Sequence, residues 1–509
     1  MTTSETENKS HFRGSILLFG GRIFALVVNF AVQVITIRYL SKADFGILAF
    51  AVSVTGMFSV FCLIGLDKSI SRYLTVYFEA NDYQKFWGTV VLSFGSVSFI
   101  GLCVVIAIVT AFQFERDVFG IQPKTLHVLA IVSGLIVAET LNSLFVSFFA
   151  VLSEARSIFF RRHVLGPTLK LIAVVIVALN GGSVFQFAAG QLLAVVIATL
   201  TCFPMLWSAI SKHSKLIWPG VANLRLPLND FFVHGLGLLI GDLGFLLRGA
   251  LVPIIIGLNF PADEVASYQS AFTIARLNEF VLLTFSILFL PKAAKLSHDS
   301  DSRRLQSLVE TTSVWIILLS LPLFSLTFLA GNSLPRLIFG EEYQSSGLIL
   351  QWLALGFFIN ASFGINLRLM RTVGKLRFVI LGDVLIILFS LLAIWLLIPQ
   401  FGPIGAAYAV LASYIFQNVV YQYLAAKHTH IKPLSLPILS PFIAVLLLVF
   451  AARIAQSSFQ IPDVFGPLLA GLVTLVVIGL FYQRLGVPEF FPELRNLPLI
   501  GKKTKSVKR

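Results

Sequence analysis

Four cations stand inside apolar runs long enough to cross a membrane: Arg22, Lys170, Arg248 and Arg276. A charge at such depth is expensive, about 3 kcal/mol on insertion scales, so these side chains are expected to face a bundle interior or a wet cavity and to mark a path for substrate or ions. A guanidinium is a planar, permanently charged fork that meets phosphate oxygens two at a time. What Arg22, Arg248 and Arg276 offer is therefore capture of an anionic head. Around Arg22, the residues Ser15, Asn29, Gln33 and Thr36 follow at steps that place all five on one helix face. Amides on such a stripe either hold helices together or line a water-filled cavity. His234, Gly241 and Arg248 share a face in the same way, at intervals of seven residues.

Carboxylates supply the second kind of chemistry. Glu139 is the carboxylate in mid-span of the first half, with Asn142 and Ser143 one turn on. Apolar surroundings disfavour a bare carboxylate charge, which suits Glu139 to carry a proton or a sodium ion, and equally to serve as a hydrogen-bonded acid in helix packing. Glu279 and Asp242 are ion-coupling candidates of the same type. Arg276 and Glu279 are three residues apart, so an ion pair within one helix is the alternative there. Lys170 and Asp383 fall near the cytoplasmic ends of their runs, where the membrane interface accounts for them.

The elements that must carry these residues are membrane helices. The 509-residue chain is 57% hydrophobic and only 12% charged, with a mean hydropathy of +0.89, against roughly 25% charged residues in soluble domains. About fourteen apolar runs reach the length needed to cross a bilayer: 15–37, 45–66, 88–111, 125–150, 163–180, 184–208, 230–258, 265–290, 310–331, 346–367, 378–398, 403–425, 434–452 and 464–483. The polar first fourteen residues lead into a run without a small-residue cleavage site, which is expected to be retained as a span. Cys62, Cys103 and Cys202 lie in apolar runs, where cysteine acts as a small hydrophobe, and no redox or metal role is assigned to them.

The net charge of +14 has an address. Alternate connections and the two ends carry 28 Lys and Arg, among them Arg156, Arg161 and Arg162 between spans four and five, whereas the other side carries six. That is the positive-inside pattern, and it places both termini in the cytoplasm. The basic tail KKTKSVKR is then a topology signal and a contact for anionic membrane lipids, with no need of nucleic acid. The chain lacks a Walker A glycine loop, a clustered His/Cys metal set and room for a catalytic domain outside the membrane, so no enzyme and no bound cofactor is expected, only coupling to H+ or Na+.

Two echoes indicate a duplicated plan. LSKADFGILAFAVSV, joining spans one and two, and FPADEVASYQSAFTI, joining spans seven and eight, are both short acidic turns that start a helix. A basic, proline-containing linker, 211–229, separates span six from a second set of six. The expected organisation is an N-lobe, 1–210, a C-lobe, 230–427, two extra helices in 428–485 and a cytoplasmic tail, 486–509.

The stretch GGRIFALVVNFAVQVITIRYLSKADFGILAFAVSV followed by IGLDKSISRYL resembles the start of the polysaccharide-transport (Wzx-type) flippases of the multidrug/oligosaccharidyl-lipid/polysaccharide exporter superfamily. LMRTVGKLRF, IPQFGPIGAAYAVLASY and IIIGLNFPADEVASYQSAFTIA resemble later parts of that family, so the resemblance spans essentially the whole chain. It implies an all-α integral membrane fold, with two six-helix lobes around a central cavity open alternately to each side. It also implies export of an oligosaccharide on polyprenyl diphosphate, for surface polysaccharide such as O-antigen, lipopolysaccharide or exopolysaccharide, across the bacterial inner membrane. Partners would be the lipid-linked glycan, membrane lipids, and the glycan polymerase and glycosyltransferases of the pathway. By position Arg22 and Arg276 resemble the cavity arginines of related lipid-linked precursor flippases. Arg248 departs from the pattern, standing where many of these flippases have an acidic residue. The expected substrate contacts are Arg22, Asn29, Gln33, Arg248 and Arg276. The alternatives are an ion-coupled drug exporter, which would favour carboxylates over cations, and a membrane-embedded glycan polymerase or ligase, which would favour a large outward loop.

Overall fold

In lipid a backbone must satisfy its own N–H and C=O groups, and a chain of long apolar runs does so by coiling. The computed structural model describes residues 2–63, 65–113, 122–152, 155–212, 218–220, 223–227, 246–299, 301–372, 376–429 and 431–481, and among them every regular element is helical. Twelve of the helices are long and apolar enough to cross a membrane. The longest, Arg377–Thr429, holds two of the expected spans, which meet at Gly402 with φ 60° and ψ −140°, a conformation that favours glycine. Much of expected span seven, with His234, Gly241 and Asp242, lies outside the described residues, as does the tail 486–509. The protein is thus an all-helical, multi-pass membrane protein.

Serine and threonine inside these helices are satisfied locally. Thr36, Ser53, Ser59 and Ser93 each donate to the carbonyl four residues back, at 2.6 to 2.8 Å. Thr36 therefore donates its hydroxyl proton within its own helix. Large apolar side chains such as Phe99, Leu179, Trp207 and Trp395 stand exposed, as lipid-facing positions must.

By packing, the chain falls into two compact units, 1–273 with 390–406, and 274–389 with 407–509. In the first, α1 (Thr2–Tyr39) packs on a π-turn, Phe159–Leu165, and on the α-helix that continues it, Gly166–Leu179. At Gly21 a Cβ would meet the Phe159 ring at 2.7 Å, so the two helices touch there with no room for a side chain. α2 (Lys42–Leu63) turns at Gly65, φ 68°, into α3 (Leu66–Glu79), and both pack on α4 (Gly134–Val151). A phenylalanine-rich core of Phe86, Phe145, Phe148 and Phe149 fixes α4 in place.

The second unit is built around Ser302–Leu329, α5, whose first turn is capped by the Asp301 carboxylate accepting from the Arg304 N–H at 3.0 Å. α6 (Gly347–Phe363) packs along it, with Phe324 and Phe358 stacked 4.2 Å apart. The last two helices, Leu436–Ser458 and Gly466–Phe481, also pack on α5. Their turn is fastened by Asp463, which accepts from Arg453 Nη1 at 3.0 Å, Gln456 Nε2 at 2.9 Å and Asn332 Nδ2 at 2.7 Å. Asp463→Ala strips three donors of one acceptor. Because the Arg453 and Asp463 side chains are each about a quarter exposed, the expected loss is about 2 kcal/mol and not the full cost of a buried charge. A fall in melting temperature in detergent measures it.

Candidate functional site

Within the first unit a cavity of about 380 Å³ is bordered by Asn29 of α1, Asp67 of α3, Glu139, Asn142 and Ser143 of α4, and three cations from one helix, Arg161, Arg162 and Lys170. The positions follow from local structure. Glu139, Asn142 and Ser143 lie three and four residues apart and share a face of α4. Arg161 and Arg162 are consecutive, and on a regular α-helix they would diverge. They sit in the π-turn Phe159–Leu165, a wider turn of the kind often kept at functional sites, and both reach the cavity.

The electrostatics are mixed by design of the helices. Lys170 Nζ stands 3.6 Å from Glu139 Oε1, with side chains 34% and 42% exposed. Arg162 is close enough to Arg22 and Asp67 to feel both charges, the first repulsive and the second attractive. Arg161 is only 3% exposed. Its Nε donates to Cys202 Sγ at 3.2 Å and its Nη2 to Thr199 Oγ1 at 3.4 Å, and among the described residues it meets no carboxylate. Thr199 in turn donates to the Val195 carbonyl at 2.8 Å, so its oxygen is free to accept.

The sequence candidates are distributed as follows. Asn29 and Glu139 border the cavity, and Arg22 is exposed on α1 beside it, within electrostatic reach of Arg162. Gln33 is half-buried on the same helix. Lys170, read from the sequence as interfacial, faces Glu139 instead. Arg161 and Arg162, read as loop cations, belong to the helical segment Phe159–Leu179, which is long and apolar enough to cross a membrane and begins at Phe159 and not at 163. Cys202, read as a small hydrophobe, accepts from a guanidinium. The signal that was available is the run FFRRHVL, an arginine pair flush against apolar residues with no glycine or proline to end a helix before it.

In the second unit Arg276 and Glu279 share one 3-10 turn, Arg276–Glu279, where residues three apart are brought into line. Arg276 is exposed and Glu279 half-buried. Glu279 Oε1 accepts from Asn360 Nδ2 at 3.3 Å, and Asn360 Oδ1 accepts from Gln417 Nε2 at 3.0 Å, a polar chain across three helices. Asp383, read as interfacial, accepts from the Tyr421 hydroxyl at 2.5 Å and pairs with Arg371 at 3.5 Å. The backbone of Arg248 lies in a second π-turn, Leu247–Leu251, and its side chain is outside the described residues, as is Asp242.

Known proteins resemble the chain on this fold. The sequence pattern of the family described as "polysaccharide biosynthesis protein" matches residues 35–348. The "probable low-salt glycan biosynthesis flippase Agl15" of Haloferax volcanii is 20% identical over 500 residues, 96% of this chain and 99% of that relative. A membrane protein of Methanocaldococcus jannaschii is 22% identical over 408 residues, 77% of this chain and 79% of its own length. Among solved structures, the lipid II flippase MurJ in an inward closed conformation superposes with a TM-score of 0.70 at 15% identity, covering 92% of this chain and 99% of that one. An inward-facing multidrug transporter of the MATE family gives 0.65 at 13% identity, over 80% and 94%. The Haloferax relative and the two solved structures are named as flippases or transporters, and the fold is shared with those two structures.

Proposed function

Since the chain belongs to the polysaccharide biosynthesis protein family, we propose that it is a flippase carrying polyprenyl-diphosphate-linked oligosaccharide from the cytoplasmic to the outer leaflet by alternating access. The membrane is the inner (plasma) membrane, both termini are cytoplasmic, and the glycan serves a surface polysaccharide of the O-antigen, lipopolysaccharide or exopolysaccharide kind. The observation that carries the reading is the cavity of the first unit, where Arg161, Arg162 and Lys170 meet Asn29, Asn142 and Ser143. Cations suit a diphosphate and amides suit sugar hydroxyls. A drug exporter would be expected to line such a space with carboxylates and aromatic rings; Asp67 and Glu139 do border this one, but three cations stand against them and none of the bordering residues is aromatic.

Arg22, Arg248 and Arg276 are assigned to the anionic head, Asn29 and Gln33 to sugar, and Glu139, Glu279 and Asp242 to coupling with H+ or Na+. Polymerase and glycosyltransferases of the pathway are the partners. Arg22→Ala and Arg276→Ala are each expected to cut export of surface glycan at least about tenfold, the loss of one charge-assisted contact. Wild-type amounts of folded protein in the membrane should accompany that loss. Normal export by both variants would remove the reading.

A further inference from the structure

We infer that Arg161 is the buried half of an anion site in the first unit, built to receive a phosphate or diphosphate group, with Arg162 as its outer half. A buried guanidinium is strongly unfavourable unless its charge is answered, and at 3% exposure Arg161 is answered, among the described residues, by a thiol and a hydroxyl, both neutral. The carboxylates that border the same cavity are engaged elsewhere, Glu139 with Lys170 and Asp67 with the charge of Arg162. The hydrogen bonds that Arg161 makes among the described residues use Nε and Nη2.

The local backbone keeps Nη1 open. A Cβ on Gly166 would come within 3.1 Å of Nη1 and 3.4 Å of the Arg161 carbonyl oxygen, so glycine is what leaves this side of the fork clear. Cys202 and Thr199 hold Nε and Nη2 from the opposite direction, which fixes the plane of the guanidinium before any ligand arrives. A planar fork held in advance, facing a cavity of about 380 Å³ with a second arginine and a lysine on its wall, matches a multiply charged oxyanion with several oxygens better than a halide. That the anion is the head of a lipid-linked glycan rests on the function proposed above. The site itself does not.

The purified full-length protein in detergent is titrated with inorganic diphosphate, and the wild type is expected to show a saturable rise in melting temperature. Arg161→Met is expected to weaken that binding roughly tenfold to a hundredfold while leaving the ligand-free melting temperature unchanged or higher, since an unanswered buried charge has been replaced by an apolar chain of similar volume. Gly166→Ala, which keeps the charge and crowds Nη1, should weaken binding about fivefold or more by the same loss. Cys202→Ala, which frees Nε and loosens the fork, should weaken binding by less than Arg161→Met does. No binding by the wild type, unchanged binding by Arg161→Met, or a sharp fall in the ligand-free stability of Arg161→Met would each overturn the proposal, the last by showing a structural role. Vesicles carrying polyprenyl diphosphate form the second arm. If inorganic diphosphate binds through Arg161 but the lipid does not compete, the anion site stands and the flippase reading loses its support.

Discussion

Gly46→Ala is expected to destabilise the first unit by about 3 kcal/mol or more, at the upper end of what overpacking does. A Cβ at Gly46 would sit 1.9 Å from the Ala262 carbonyl oxygen and 2.6 Å from its carbonyl carbon. Those are backbone atoms, which cannot rotate aside as the end of a side chain would. One turn on, Phe50 presses on Gly257, where a Cβ would stand 2.4 Å from the ring. The start of α2 therefore lies directly on the turn from Val252–Asn259 into Ala262–Ala275, joined at two glycines with no spacer. A methyl group must separate the two segments and disturb the neighbouring Asp44–Lys124 ion pair with them. Gly56→Ala, on the same helix, has nothing within 4 Å of the new Cβ and should be neutral or stabilising by up to about 1 kcal/mol, from helix propensity alone. Melting temperatures of the two variants against wild type give the comparison. Equal behaviour would mean that the Gly46–Ala262 contact is not formed in the native protein.

The same place shows what a sequence can and cannot carry. ADFGILAF and ADEVASYQ were legible as matching acidic turns that begin helices, because capping and turn chemistry are local. That the two turns pack on one another was not, since a glycine's reason for being small lies in the residue opposite. The spans were legible because about 20 apolar residues in a row suffice to cross a bilayer, and the break at Gly402 was legible with them as the gap between two spans. In the cavity, Asn29 and Glu139 stood out as polar residues in apolar runs, and both border it. Arg161 and Arg162 did not, because cations at the cytoplasmic end of an apolar run also satisfy the positive-inside rule. Only the π-turn and the positions of Cys202 and Thr199 on another helix separate a buried guanidinium from a topology signal. Lys170 and Glu139 lie on different helices, and no spacing along the chain predicts their meeting.

That meeting gives the second large effect. At 34% and 42% side-chain exposure, the Lys170–Glu139 pair is expected to contribute less than about 1 kcal/mol to stability, as partly solvated ion pairs do. A double-mutant cycle on melting temperature with Glu139→Gln, Lys170→Gln and both together should return a coupling within that bound. Transport should respond far more. If Glu139 carries the coupling ion, Glu139→Gln removes the group that a proton or sodium ion must occupy, and transport in proteoliposomes should lose its dependence on an imposed H+ or Na+ gradient while the protein remains folded. Lys170→Gln leaves the carboxylate but takes away the cation that holds it in the ligand-free cavity. Gradient dependence should then persist at a rate lowered about tenfold, equivalent to about 1.4 kcal/mol of barrier. The two variants thus fail differently, one in coupling and one in rate, although they break the same contact. An unaltered gradient dependence in Glu139→Gln would pass the coupling role to Glu279, whose carboxylate is held by Asn360 and, through it, by Gln417, and the same measurement on Glu279→Gln would decide it.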